Sequence, residues 1–314
     1  MAFWLFREMR VETAVVEVGL GGRLDSTNVV QPALTVITPI DFDHEAFLGN
    51  TLEAIAGEKA GILKPGIPAV FARQRPEAAA VLDARARELG CPIQRAPELD
   101  VAEKRPEEPE GREINVGARD IHVDARGSSF RLGPSDEIIA CPLAGEHQLD
   151  NAITAALALR ALGVSTAGIA DARWPGRLEC VAPNPDIILD GAHNPAGARA
   201  LARYLTRFYS HRRIWMIFGA MRDKALEEVA ETLFPLAQQL ICTAPEGPRA
   251  LRPDALAELA GSMTQFPPHV EPNVEAALDW TLQRAVPEDA VVITGSLFLI
   301  GEARALFQRP VSRV

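Results

Sequence analysis

Between residues 17 and 61 the sequence sets a carboxylate, an imidazole and an amine near the ends of short apolar runs. Glu17 stands in Glu17-Val18-Gly19-Leu20-Gly21-Gly22-Arg23-Leu24-Asp25-Ser26-Thr27-Asn28, His44 follows Asp43, and Lys59 lies in Glu58-Lys59-Ala60-Gly61. Groups of these types at the carboxyl edge of an open α/β sheet are how a magnesium–nucleotide site is assembled. Glu17 interrupts the run Ala14-Val15-Val16-Glu17-Val18, and a carboxylate inside a buried strand is costly unless something compensates it. Either a metal ion does so or the strand end is solvated; spacing alone leaves both open. Gly19, Gly21 and Gly22 let backbone approach a ligand, but G-x-G-G is weak without the rest of a dinucleotide fingerprint. A single loop histidine is usually structural, and Lys59 beside Glu58 reads by itself as an exposed helical ion pair. Their co-occurrence on one inferred sheet edge favours a site.

A second constellation lies in Ile187-Ile188-Leu189-Asp190-Gly191-Ala192-His193-Asn194-Pro195, which reads as a strand, a tight turn and a helix with proline in its first turn. A helix N-terminus there attracts anions, while Asp190 can accept from hydroxyls or hold a cation's water. The plainer reading is helix capping by Asn194. His147 and Asn151, four residues apart, share a helical face. Arg177, in Trp174-Pro175-Gly176-Arg177, is either a structural arginine or a phosphate ligand.

The elements that must position these groups alternate. Strands are expected over 13–18 and 33–40, then a helix opened by Thr51 with Gly61 near its end, a strand over 69–72, a helix over 76–89 stopped by Gly90, and a strand over 92–94. Residues 97–113 read as a charged loop, 114–142 as small antiparallel hairpins and 149–162 as an alanine-rich helix. From residue 186 the alternation restarts, with strands over 187–189, 214–218, 239–243 and 290–294. Helices are expected over 195–208, 225–234, 253–260, 274–284 and from 299. Such alternation argues for α/β domains with parallel sheets, divided at Trp174–Arg177 into residues 1–176 and 177–314. The first ten residues read as the second half of a helix entered without a start signal.

The 314 residues, 47% apolar, suffice for two cores. A net charge of -10 without a basic stripe argues against a nucleic-acid partner. The cysteines Cys91, Cys141, Cys180 and Cys242 form no CxxC pair and read as small buried hydrophobes of a reducing compartment. No signal peptide is recognisable and no window reaches the roughly 18 apolar residues of a membrane span, so a soluble, cytoplasmic protein is expected.

The segments VVEVGLGGRLDSTN, TPIDFDHEAFLGNTLEAIAGEKAGILKPGIP, GEHQLDNA, WPGRLE, LDGAHNPAGA, FGAMRDK and ITGSLFLIGEAR, in order from about residue 13 to residue 304, closely resemble the folylpolyglutamate synthase and dihydrofolate synthase family of the Mur ligase superfamily. The resemblance implies a P-loop-type Mur ligase central domain, N-terminally truncated, over 1–176 and a Rossmann-like C-terminal Mur ligase domain over 177–314. It implies an ATP-dependent ligase of folate biosynthesis and one-carbon metabolism, adding L-glutamate to dihydropteroate or to the γ-carboxylate of folates through an acyl phosphate, with ATP and Mg2+, acting as a monomer. Carried over by position, Glu17 and His44 match magnesium ligands and Lys59 a lysine that becomes carbamylated. Leu24, Asp25 and Ser26 match substrate contacts, Asn151, Arg177 and Asp190 nucleotide contacts, and His193 lies beside them. Lys224 and Ser296 match motif positions of open role.

The departure from the family pattern is large: no G-x-x-x-x-G-K-[ST] phosphate loop occurs in the sequence, although such a site normally requires one. A chain that begins partway through its own active site, with negligible activity by itself, is therefore expected. Alternatives are a Mur-type ligase for another carboxylate, and a non-catalytic remnant that binds nucleotide or complements a partner.

Overall fold

The computed structural model describes residues 1–42, 44–97, 117–222, 226–261 and 263–308. Asp43, Lys224 and all but the first residue of the expected charged loop fall outside the described residues. Two compact units emerge, one of residues 1–96 with 157–164 and the other of residues 97–156 with 165–314.

The first unit contains α1 (Ala2–Glu8), β1 (Thr35–Ile37), α2 (Glu45–Leu48), α3 (Leu52–Ala60), β2 (Ala69–Phe71), α4 (Pro76–Glu88) and β3 (Ile93–Arg95). Its sheet is parallel in the order β1-β2-β3, with Thr35 opposite Ala69 and Ala69 opposite Ile93. Local chemistry sets the helix ends: the Thr51 side chain accepts from the Ala54 N–H ahead of α3, and Pro76 occupies the first turn of α4. Leu52, Ile55 and Ala56 of α3 and Ala78, Leu82 and Ala86 of α4 recur at helical spacing and pack with Ile37 and Phe71 into one core.

The strand expected over 13–18 is not formed. These residues carry no regular structure, and Val15 is 99% exposed. A strand exists only as part of a ladder, and among the described residues β1 pairs with β2 alone. A run of β-branched residues therefore has propensity without a neighbour, and propensity for a pleated surface is mostly packing against one. α1 likewise has no side-chain cap and buries none of its residues; Phe3 and Phe6 meet edge to face.

The second unit opens with the antiparallel sheet β4 (Ala118–Asp124), β5 (Gly127–Leu132) and β6 (Ile138–Cys141), as the hairpin reading expects. α5 (Glu146–Ala161), which begins three residues earlier than expected, follows, its residues 157–161 counting with the first unit. Then come β7 (Glu179–Ala182), β8 (Asp186–Asp190), α6 (Pro195–Tyr209), β9 (Ile214–Phe218), α7 (Leu226–Leu233), β10 (Gln239–Cys242), α8 (Pro253–Ala260), β11 (His269–Val270), α9 (Val274–Leu282), β12 (Ala290–Thr294) and α10 (Leu297–Gln308). These strands form one six-stranded sheet in the order β11-β10-β9-β12-β8-β7, parallel except for β7. The edge strands β7 and β11 were not expected from the sequence.

The period of two along each strand divides the core. Ile188, Met216, Leu240 and Val292 face α6, α7 and α8, whereas Ile187, Ile217, Ile241 and Val291 face α9 and α10. All four cysteines are free, three of them buried and Cys180 half-buried. Among the described residues no helix is long and apolar enough to cross a membrane.

The turn between β4 and β5 is tied to the large sheet through Asp186. Its carboxylate accepts from the Tyr209 hydroxyl at 2.9 Å and faces Arg126 at 3.4 Å and Arg212 at 3.2 Å, while the Tyr204 hydroxyl donates to the Ala125 carbonyl at 2.9 Å. Removing one partner from a buried hydrogen bond leaves the other unsatisfied. Asp186→Ala is expected to lower the unfolding free energy by about 2 kcal/mol and Tyr209→Phe by about 1 kcal/mol, read from urea midpoints.

Candidate functional site

In the first unit the segment 19–28 is shaped by one side chain. Asp25 Oδ2 accepts from the Gly19 and Leu20 N–H groups, both at 3.1 Å, and Oδ1 from the Thr27 N–H at 2.8 Å and its hydroxyl at 2.5 Å. The Thr27 hydroxyl is the chief reason that the carboxyl is held down to about 2, with the backbone donors adding to it. Both Asp25 oxygens thus organise the loop, while the neighbouring Leu24 and Ser26 are both left exposed.

The loop is fastened to the last turn of α3, which carries Lys59. The Arg23 N–H donates to the Glu58 carbonyl at 2.8 Å, and the Arg23 guanidinium grips the Glu58 carboxylate through Nε at 3.1 Å and Nη2 at 2.8 Å. Asn28 Nδ2 donates to the carbonyls of Arg23 and Gly61, and Lys64 Nζ to the carbonyl of Asn28 at 3.1 Å. Backbones approach so closely that a Cβ on Gly61 would stand 2.4 Å from Arg23, and one on Gly22 2.9 Å from the Glu58 carbonyl. The expected Glu58–Lys59 helical pair is therefore replaced by Arg23–Glu58, a pairing across the fold that neighbour spacing does not reveal.

Glu17 is exposed and lies outside any strand, which corrects the premise of a carboxylate buried in a sheet: water solvates it. His44 is exposed, with φ +51°, and its carbonyl accepts from Phe47 and Leu48 at the start of α2. Lys59 is half-buried. Among the described residues no three His, Cys, Asp or Glu side chains gather as a metal site. Glu17 and His44 alone do not make up a complete Mg2+ donor set, which takes about six oxygen ligands including waters.

In the second unit Asp190 ends β8 at 7% exposure. Its oxygens accept from the Leu178 and Ala192 N–H groups, each at 3.0 Å. Burial pushes this carboxyl up to about 6, against the pull of those donors, Arg177 and His193. Arg177 lies over the turn after β8, since a Cβ on Gly191 would stand 2.8 Å from its Nη1. Asn194 does cap α6, accepting from the Gly197 N–H at 2.8 Å. Asn151 is exposed and donates to Gln148 at 3.1 Å, and His147 is pushed down to about 4 by burial and by Arg203 and Arg177.

Beside Asp190 and Arg177, His193 hydrogen-bonds to the Gly191 carbonyl through Nδ1 at 2.8 Å. It stands at a cavity of about 180 Å3, lined also by Phe218, Met221, Leu226, Ser296 and Phe298. Ser296 is buried and its hydroxyl accepts from the Phe298 N–H at 3.2 Å. The cavity forms where the carboxyl ends of the paired strands β9 and β12 meet the turn after β8. In the sequence its lining shows as His193, Ser296 and a glycine after each strand, in Gly219-Ala220-Met221 and Gly295-Ser296, with nothing to say that these stand together.

Residues 3–159 match the model of the Mur ligase middle domain and residues 176–297 that of the Mur ligase glutamate ligase domain. The chain is 35% identical over 319 residues to the dihydrofolate synthase/folylpolyglutamate synthase of Bacillus subtilis, covering 96% of this chain and 69% of the relative. It is 35% identical over 344 residues to the enzyme of that name from Mycobacterium tuberculosis, covering 98% and 67%. The solved structure of M. tuberculosis folylpolyglutamate synthase complexed with ADP and AMPPCP superimposes with a TM-score of 0.82 at 33% identity, over 98% of this chain and 71% of that one. E. coli FolC in complex with DHPP and ADP does so at 0.79 and 30%, over 98% and 69%. Two matched Mur domains in series define the class, an α/β ATP-dependent acid–amino-acid ligase. The chain belongs, within that class, to the folylpolyglutamate synthase/dihydrofolate synthase family of folate metabolism.

Asp190 supplies a pH signature. Its folded value lies above the unfolded one, so the folded state holds the extra proton, and the stability that Asp190 contributes falls as pH rises from about 4 through about 6. Asp190→Asn is expected to flatten that part of the profile, by roughly 2 kcal/mol between pH 4.5 and pH 7, measured as urea midpoints at those two values; an unchanged slope would assign the proton elsewhere.

Proposed function

We propose that the reaction this chain is built for is the glutamate-adding one of its family, with dihydropteroate or the γ-carboxylate of a folate as acceptor, and that these 314 residues by themselves are inactive. The observation that carries the reading is the cluster of Asp190, Arg177 and His193 at the carboxyl end of β8, opening on the cavity beside Ser296. The γ-phosphoryl group of ATP passes to the acceptor carboxylate, giving an acyl phosphate and ADP; the amine of L-glutamate attacks the acyl carbon, and phosphate leaves as the amide forms. Phosphoryl transfer depends chiefly on positioning and charge neutralisation. Arg177 supplies a fixed guanidinium for phosphate oxygens, and Asn151 and Asp190 supply polar contacts to the nucleotide.

L-Glutamate is assigned to the cavity, where its apolar lining takes the methylenes and His193 and Ser296 take the polar ends. In the first unit Leu24 and Ser26 meet the acceptor, and Asp25 sets the loop that presents them. Mg2+, with Glu17 and His44 among its ligands, would neutralise phosphate charge when bound, and Lys59 as its carbamate would present a further anion. The reading divides the chain into a central domain over 1–176 and a C-terminal domain over 177–314, in a cytoplasmic monomer with no nucleic-acid partner.

The 314 residues contain no G-x-x-x-x-G-K-[ST] segment, and losing one preorganised donor to a transition state costs about a hundred- to a thousandfold in rate. Acceptor- and glutamate-dependent ADP release by these 314 residues alone is therefore expected to run at least about a hundredfold below that of a longer polypeptide in which such a segment precedes residue 1. Equal rates would remove the need for the phosphate loop, and no turnover from the longer polypeptide with either dihydropteroate or tetrahydrofolate would overturn the ligase reading.

A further inference from the structure

Loop 19–28 and the end of α3 are distant in sequence, yet directed hydrogen bonds join them. The Arg23 N–H donates to the Glu58 carbonyl, the Arg23 guanidinium to the Glu58 carboxylate, Asn28 to the carbonyls of Gly61 and Arg23, and Lys64 to the Asn28 carbonyl. Gly22 and Gly61 remove the side chains that would hold the two backbones apart. The loop presents Leu24 outward with Ser26 close by, while the helix turn carries Lys59 one residue beyond Glu58. Neither Arg23 nor Glu58 faces a ligand in the reading above, because their charged groups are spent on each other.

We propose that Arg23 is a positioning residue: acting through Glu58, it holds the acceptor loop and the Lys59 turn as one rigid body, so that acceptor and phosphoryl-transfer machinery keep a fixed separation. This rests on the assignment of Leu24, Ser26 and Lys59 in the proposed function. A bidentate guanidinium–carboxylate fork fixes orientation as well as distance, which an ammonium could not do. Rigidity matters at this junction because a misplacement of about 1 Å can cost about a hundredfold in rate.

Hydrogen exchange of the 314-residue chain, resolved over residues 19–28 and 57–64, tests the coupling in Arg23→Gln, Glu58→Gln, the double variant and the swapped pair Arg23→Glu with Glu58→Arg. Each single variant is expected to raise exchange about two- to fivefold in both segments, the double variant no further than either single one, and the swap to return both towards the original rate. Exchange rising only in the segment that carries the substitution, or adding up in the double variant, overturns the proposal. Calorimetry with dihydropteroate on the same chains supplies a readout that local folding alone does not move. Glu58→Gln, outside the loop, is expected to weaken binding about two- to fivefold, and the swap to restore it. An unchanged affinity overturns the positioning role. If the unaltered chain fails to bind dihydropteroate, the acceptor assignment falls, while the exchange experiment still decides whether Arg23 couples the two segments.

Discussion

A polar group can leave water only where the fold supplies its partners, and Asp190 is the point at which the second unit meets that condition. Two backbone N–H groups, from Leu178 and Ala192, hold the carboxylate at the end of β8. They come from the two turns that carry Arg177 and His193, so the bonds that satisfy the buried acid also fix the approach of both side chains. The turn after β8 can take that path because its glycine leaves room for the guanidinium. The cavity beyond it inherits its walls from the same edge of the same sheet, as open α/β folds provide.

The first unit solves a different problem with the same means. Its loop has little apolar surface to bury, since Leu24 and Val29 face solvent, and it is held by directed bonds to backbone carbonyls. Asp25 organises the loop internally, while Arg23 and Asn28 attach it to α3. Specific hydrogen bonds define position where packing cannot.

What could be read from the sequence was what local physics decides. Thr51, Pro76 and Asn194 mark helix starts through caps and first-turn proline, and the alternation of strands and helices pointed to both parallel sheets. What could not be read depends on partners far along the chain. Residues 13–18 have the composition of a strand and no ladder to join; Glu58 pairs with Arg23, 35 residues away, in preference to its neighbour Lys59. Of the candidate site, Asp190 and His193 stood out because one strand–turn–helix word contains them, and Arg177 because it closes the separate Trp174-Pro175-Gly176-Arg177 turn. The cavity was not legible, because it is closed by strand ends separated by much of the second unit.

The cysteines have a practical side. Burial pushes all four thiols up, Cys242 to about 12, so each carries little of the thiolate that alkylating reagents attack. The chain is thus a quiet background for thiol labelling. A single cysteine introduced on an exposed surface would carry a spin label or fluorophore almost alone, and distances or polarities measured from it could be assigned to one position without first removing the native thiols.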